Sequence, residues 1–250
     1  MASLSPVDRT LTSRFERKYL LDPGMLPEIR SWLSPHMGHD PFSAKCPDHR
    51  YSVCSLYLDN ENLNLYHQTK NAEKNRFKLR ARTYGDNIND PVFFEIKKRM
   101  DQIVRKDRVT IARDKALKYI ESLSSYAPSE TDLGDTNFLR FVQSVEKTQS
   151  RPILLVRYMR EAFESRTIDP VRVTFDSELQ TQLAPDGKIT HCEGEWTPVD
   201  VPGIILEIKY SDRFPSWIQS LVNSFGLRYT SVPKYGYCVE ASPSLAAQAV

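Results

Sequence analysis

Polar and apolar positions alternate with a period of two over residues 76–82. Arg76, Lys78, Arg80 and Arg82 fall on one face of a strand and Phe77, Leu79 and Ala81 on the other. The same period predicts strands over 13–21, 51–58, 75–84, 92–99, 103–111, 153–165, 171–182, 203–210 and 234–240. Helical spacing predicts helices from Asp22-Pro23 to about Trp32, from an Asp59 or Asn60 cap to about Gln68, and over 113–123, 138–147 and 215–225. Gly85 to Pro91 reads as a hairpin loop, Met100-Asp101-Gln102 as a turn, Asp169-Pro170 and Ala184–Gly187 as turns, 124–135 as a polar linker and 241–250 as a frayed tail. Three consecutive strands on short turns imply an antiparallel meander, hence an α+β chain without βαβ units.

The wet faces of these strands are unusual. Lys106 and Arg108 share a face in 103–111; Tyr158, Arg160 and Ala162 share one in 153–165; Arg172, Thr174, Asp176 and Glu178 share one in 171–182; Glu207 and Lys209 stand opposite Leu206, Ile208 and Tyr210. Like charges on neighbouring strands repel, so faces of nearly one sign call for an anion. An open sheet with a solvated face and a barrel with charges turned inward both accommodate the pattern. The scarcity of Ser, Thr and Gln beside the cations favours the barrel, whose cationic interior makes sense around a polyanion with a metal assisting.

Composition adds bounds. The 250 residues, 40% hydrophobic and 26% charged, fit one globular domain over 1–250 with a core at about 14–240. The net charge of +2 shows that the basic faces are a matter of placement. The opening Met1–Pro6 has no signal-peptide character, and no apolar run reaches the ~18 residues of a membrane span. Cys46, Cys54, Cys192 and Cys238 form no CxxC pair and read as reduced thiols of a cytoplasmic protein. His36, His39, Cys46 and His49 resemble a zinc site only loosely, and scattered loop histidines are the preferred reading. RNA is disfavoured because Phe77, Phe94 and Phe175 fall on the apolar face, opposite the cations, where they do not stack on bases.

Eight motifs occur in order: Phe15-Glu16-Arg17-Lys18-Tyr19, Ser55-Leu56-Tyr57-Leu58-Asp59-Asn60, Lys78-Leu79-Arg80-Ala81-Arg82-Thr83-Tyr84-Gly85, Phe94-Glu95-Ile96-Lys97, Tyr158-Met159-Arg160-Glu161-Ala162-Phe163, Val171-Arg172-Val173-Thr174-Phe175-Asp176, Leu206-Glu207-Ile208-Lys209 and Lys234-Tyr235-Gly236-Tyr237. Together they resemble the catalytic domain of the vacuolar transporter chaperone (VTC) polyphosphate polymerases, a branch of the triphosphate tunnel metalloenzymes. The resemblance implies a closed eight-stranded antiparallel β-tunnel with helices packed outside. It also implies ATP-dependent synthesis of inorganic polyphosphate with Mn2+ or Mg2+, the alternatives being a tripolyphosphatase or nucleoside triphosphatase and a non-catalytic polyanion-binding module. Carried over by motif, Lys18, Arg80, Arg82, Lys97, Arg160, Arg172, Lys209 and Lys234 act on phosphates in catalysis. Lys106, Arg108 by strand parity, and Arg76 and Lys78 at the entrance are the expected substrate-binding residues, and Glu207 holds the metal. Glu16 and Glu95 receive no firm role. Hydrolytic relatives begin with Glu-x-Glu-x-Lys where this chain has Arg14-Phe15-Glu16-Arg17-Lys18, which disfavours a plain triphosphatase. The partners implied are ATP and polyphosphate or orthophosphate, with no nucleic acid. Absence of a sensing domain and of membrane helices points to a stand-alone bacterial-type enzyme, with a separate membrane protein as a further partner.

Overall fold

The computed structural model describes residues 15–85, 87, 89–101, 103–125, 135–165, 171–190, 193–211 and 213–249. In chain order its elements are β1 (Phe15–Leu21), α1 (Leu26–Leu33), β2 (Met37–His39), β3 (Tyr51–Asp59), α2 (Asn64–Lys70), β4 (Asn75–Tyr84), β5 (Val92–Met100), β6 (Ile103–Ile111), α3 (Arg113–Ser125), α4 (Thr136–Thr148), β7 (Arg151–Ser165), β8 (Arg172–Leu183), β9 (Thr197–Pro198), β10 (Ile204–Tyr210), α5 (Ser216–Ser224), α6 (Lys234–Glu240) and α7 (Pro243–Gln248). The expected Asp169-Pro170 turn, most of the 124–135 linker, Arg14 and Cys192 lie outside the described residues.

Eight strands form one antiparallel path, β1-β10-β8-β7-β3-β4-β5-β6, with β2 added on β7 and β9 on β8. Irregularities at Tyr57/Leu58 and Arg157/Met159, with Glu178 at φ 55°, help curl it. Among the described residues no backbone ladder joins β6 to β1. Side chains cross that seam instead: Lys97 of β5 donates to both Glu16 oxygens of β1 at 2.9 and 3.1 Å.

The apolar faces point outward, under helices. Phe94 of β5 packs with Tyr119 of α3 and with Phe138 and Phe141 of α4 at ring separations of 5.7, 5.4 and 4.9 Å. Ile29 of α1 and Ile218 and Leu221 of α5 cover Leu206 and Ile208 of β10 and Tyr19 and Leu21 of β1. A third cluster joins Tyr66 of α2 to Tyr235, Cys238 and Val239 of α6 and Leu245 of α7. Hydrophobic burial therefore holds the curled sheet from outside. Among the described residues no helix is long and apolar enough to cross a membrane.

Two expectations change, and a third is borne out with both of its alternatives. Residues 234–240 are helical, with Pro233 at the N-cap and Lys234, Tyr235, Cys238 and Val239 buried. That spacing is the helical one, and Lys-Tyr-Gly-Tyr only imitates strand alternation. The tail is not frayed over 243–248: α7 forms there, and Leu245 and Ala249 are buried. Both Asp59 and Asn60 cap α2. Asp59 accepts from Leu65 and Tyr66 N–H at 2.9 Å, and Asn60 from Asn64 N–H at 3.0 Å.

Candidate phosphate-binding tunnel

Strand parity turns the cationic faces inward around a cavity of about 1020 Å³, its open mouth included. Its wall carries ten lysines and arginines and two glutamates. Among the expected site residues, Lys18, Arg76, Lys78, Arg80, Arg82, Lys97, Arg160, Lys209, Lys234 and Glu207 all line it. The last lysine arrives from α6, whose first residue reaches into the strand-built cavity.

Buried carboxylates organise these cations. Glu95 is fully buried and accepts from Arg80 Nε and Arg108 Nε, each at 2.7 Å, and from Lys106 Nζ at 3.2 Å; Arg82 lies 3.9 Å away. Asp176, 1% exposed, takes Arg160 Nε and Nη2 on its two oxygens at 2.6 and 2.7 Å and Lys234 at 2.6 Å. Glu207 faces Lys18 at 3.2 Å, Lys234 at 2.9 Å, Lys209 at 3.1 Å and Arg160 at 3.5 Å. Burial alone would raise the Glu207 carboxyl; Lys18, Lys234, Lys209 and Arg160 together hold it well below the usual carboxylate range. Glu95 is likewise held far down against burial, chiefly by Arg80 and Lys106. Burial pushes Lys209 down to about 8 despite Glu207, and Lys106 to about 8 despite Glu95.

Three expected residues do not line this cavity. Lys106 and Arg108 bond to the buried Glu95 behind the wall, which in turn holds the lining residue Arg80. Arg172 sits with Arg108 toward the Tyr84 end of β4, bonded to Asp40 at 2.6 Å, to Glu164, and to the Tyr51 hydroxyl at 3.3 Å. Asp40, Asp176 and the tyrosines were not singled out from sequence. Tyr57 accepts from Arg80 at 3.1 Å, Ser55 accepts from Arg82 at 2.9 Å, and Tyr158 lies under Arg160 and Lys234. Hydroxyls and aromatic rings thus do stand among the cations, contrary to expectation. Tyr57 and Tyr235 stack on each other at 4.7 Å and are buried, so their faces are not offered to bases. The loop histidines are engaged otherwise: His39 stacks on His49 at 4.0 Å and His36 on Trp217 at 4.5 Å.

Glu207 is the carboxylate expected to hold a divalent ion. Both carboxylate oxygens already face cations, and among the described residues no group of three or more His, Cys, Asp or Glu is placed to hold a metal. Such a donor set is no protein cage. It fits a hard cation that brings most of its ligands as phosphate oxygens and takes one carboxylate.

The VTC domain family matches residues 13–242 of the chain. The chain belongs to the VTC domain family. Two curated relatives of this VTC domain are named vacuolar transporter chaperone complex subunit 4. The Trypanosoma cruzi protein is 26% identical over 274 residues, covering 91% of this chain and 33% of that protein. The Schizosaccharomyces pombe protein is 21% identical over 273 residues, covering 91% and 37%. The VTC domain chain thus spans about a third of the length of these relatives, and both are eukaryotic, so the bacterial expectation draws no support from them. Among solved structures, an adenylate cyclase-like protein from Bacillus halodurans superimposes with a TM-score of 0.51 at 13% identity, over 89% of this chain and 94% of that one. At that identity the likeness speaks for the fold alone: a curled antiparallel β-tunnel with helices outside, as expected for a VTC domain.

Proposed function

We propose that this VTC domain is a polyphosphate polymerase that transfers the γ-phosphate of ATP to a growing phosphate chain and releases ADP. The observation that carries the proposal is the tunnel wall itself, with ten Lys and Arg side chains against two Glu around one cavity. Phosphoryl transfer needs neutralised oxygens and in-line alignment more than a protein nucleophile, and such a wall supplies both. A terminal phosphate oxygen of the chain, or orthophosphate, attacks Pγ. The new P–O bond forms as the bond from Pγ to the β–γ bridging oxygen breaks, and ADP leaves with that electron pair. The attacking oxygen is already anionic, so no general base is required.

Arg80 is held by Glu95, Arg82 by the Ser55 hydroxyl and Arg160 by Asp176, so their forks are pre-oriented before phosphate arrives. Lys18, Lys97, Lys209 and Lys234 supply point charges, and phosphate oxygens replace the carboxylates that now face them. In this reading Lys106 and Arg108 keep Glu95 in place, and Arg172 extends the cationic row at the Tyr84 end. Glu207 would hold Mn2+ or Mg2+, which supplies neutralisation of phosphate charge. ATP supply argues for a cytoplasmic site, and relatives named as complex subunits support a separate membrane partner for the product.

Purified protein given ATP with Mn2+ or Mg2+ is expected to yield ADP and a ladder of acid-labile chains. Orthophosphate as the only phosphate product would overturn the proposal in favour of a tripolyphosphatase or nucleoside triphosphatase. Binding without turnover in any metal would favour a polyanion-binding module.

A further inference from the structure

Charge along the cavity is unevenly compensated. Deep in the tunnel each cation faces a carboxylate: Arg80 and Arg82 face Glu95, Arg160 and Lys234 face Asp176, Lys18 and Lys209 face Glu207, and Lys97 faces Glu16. Toward the Asn75 end of β4 this compensation stops. Arg76 donates to the Glu73 carbonyl, Arg99 donates to the Asp101 carbonyl at 2.9 Å, and Lys78 lies over the Tyr235 ring at 5.9 Å. Among the described residues none of the three forms an ion pair with a carboxylate, although all three line the cavity.

Their placement makes the imbalance costly. Arg76 is the cross-strand partner of Arg99, and Lys78 that of Lys97, so like charges sit opposite one another on the inner face. Burial, reinforced by Lys18, Lys97 and Arg80, pushes the Lys78 ammonium well below the ordinary lysine range. A face arranged this way is satisfied by an incoming anion. The inner face of β4 carries Arg76, Lys78, Arg80 and Arg82 over roughly 20 Å of strand. A triphosphate, three tetrahedral units joined through two oxygens, covers only part of that length.

We propose that Arg76, Lys78 and Arg99 form a separate subsite for a linear phosphate chain, distinct from the carboxylate-compensated cations that grip the nucleotide's triphosphate. The proposal rests on the polymerase reading and deepens it. The two zones divide the work: compensated cations exchange a carboxylate for phosphate with little net change, whereas the uncompensated rim gains an anion outright and favours the longer chain. Affinity thus rises with chain length at the acceptor end.

The test is calorimetric titration of metal-free protein, which cannot turn over, with tripolyphosphate and with a chain of several tens of phosphates. A long chain also binds in more registers, but that statistical gain is common to all variants, so the ratio of the two affinities decides. In the combined Arg76→Gln, Lys78→Gln and Arg99→Gln protein the ratio is expected to drop by about tenfold or more, as loss of three charge-assisted contacts implies. Lys78→Gln alone is expected to lower the ratio, and Lys78→Arg to retain it. These single variants decide the matter if the combined one does not fold. A long-to-short ratio unchanged by the glutamine substitutions overturns the subsite. If wild-type protein binds tripolyphosphate but shows no added affinity for the long chain, the subsite alone falls. If it binds neither, the polymerase reading falls with it.

Discussion

The Arg160 guanidinium is clamped edge-on by the Asp176 carboxylate, Nε donating to Oδ1 at 2.6 Å and Nη2 to Oδ2 at 2.7 Å. Lys234 donates to the same Oδ2 from α6 at 2.6 Å, so one buried acid ties β7 and β8 to the helix. Asp176→Asn keeps the volume and removes the charge, leaving two buried cations against Glu207 alone. Stability should fall by about 3–5 kcal/mol in denaturant unfolding, the usual cost of breaking a buried pair from one side. Tripolyphosphate should raise the variant's Tm more than the wild type's, because it restores the missing negative charge. Equal increments in the two proteins would show that the anion does not reach Arg160 and Lys234.

Lys209 gives the pH dependence. Its ammonium is pushed down to about 8 by burial, and on the proposed polymerase function that is the form that pairs with phosphate oxygens. The unliganded protein would then lose a binding charge as pH rises through about 8, and kcat/KM is expected to fall there. Lys209→Arg keeps its charge throughout that range and should flatten this limb; an unchanged limb would assign the titration to another group. Stability runs the opposite way. An unfolded lysine keeps its proton to about 10.4, whereas folded Lys209 releases it near 8. Between those values the unfolded chain binds more protons, so this residue's contribution to unfolding free energy rises with pH.

The strand pattern carried most of the architecture, because a two-residue period survives whatever a strand packs against. It also assigned Arg80 and Arg82 to the inner face. It did not reveal their carboxylate partner, although Arg80 and Glu95 are cross-strand neighbours on a hairpin whose register can be counted from its turn. The Arg160–Asp176 pair was missed as well, although it lies on the unbroken register from Glu164–Arg172 to Met159–Ser177, before the irregularity between Arg157 and Met159: the two residues were placed on charged faces of their own strands and never paired across them. Lys234 was placed on the right cavity but on the wrong element, since seven residues with tyrosines at alternate positions satisfy either period. Pro233 ahead of Lys234 was the available helix signal.

Glu95 is a positioning residue on this geometry, touching Arg80, Arg108 and Lys106 but enclosed by them. Glu95→Gln should free the guanidinium of Arg80 and raise the net charge facing phosphate. The expected result is a split: KM for ATP falls or stays level while kcat drops by about 100-fold, since misalignment costs the transition state more than binding. A rise in KM with kcat unchanged would give Glu95 a binding role instead. By contrast, Arg80→Ala and Lys209→Ala should each lower kcat/KM by about 100-fold or more, measured as ADP release.

Asp59 links the helix that bears Lys234 to the sheet. Its buried carboxylate accepts from Leu65 and Tyr66 N–H and from the Tyr235 hydroxyl, all at 2.9 Å, while Tyr66 donates to Glu240 at 2.9 Å. Tyr235→Phe removes one of these bonds and leaves the stacking on Tyr57. It should cost about 1–2 kcal/mol of stability and raise KM, because Lys234 is the adjoining residue of α6. Asp59→Asn replaces an acceptor with an N–H where donors converge and should cost more, about 3 kcal/mol. Combining the two should cost less than the sum, since both remove the same Tyr235–Asp59 bond. Strict additivity in denaturant unfolding would mean that the bond contributes nothing to docking α6.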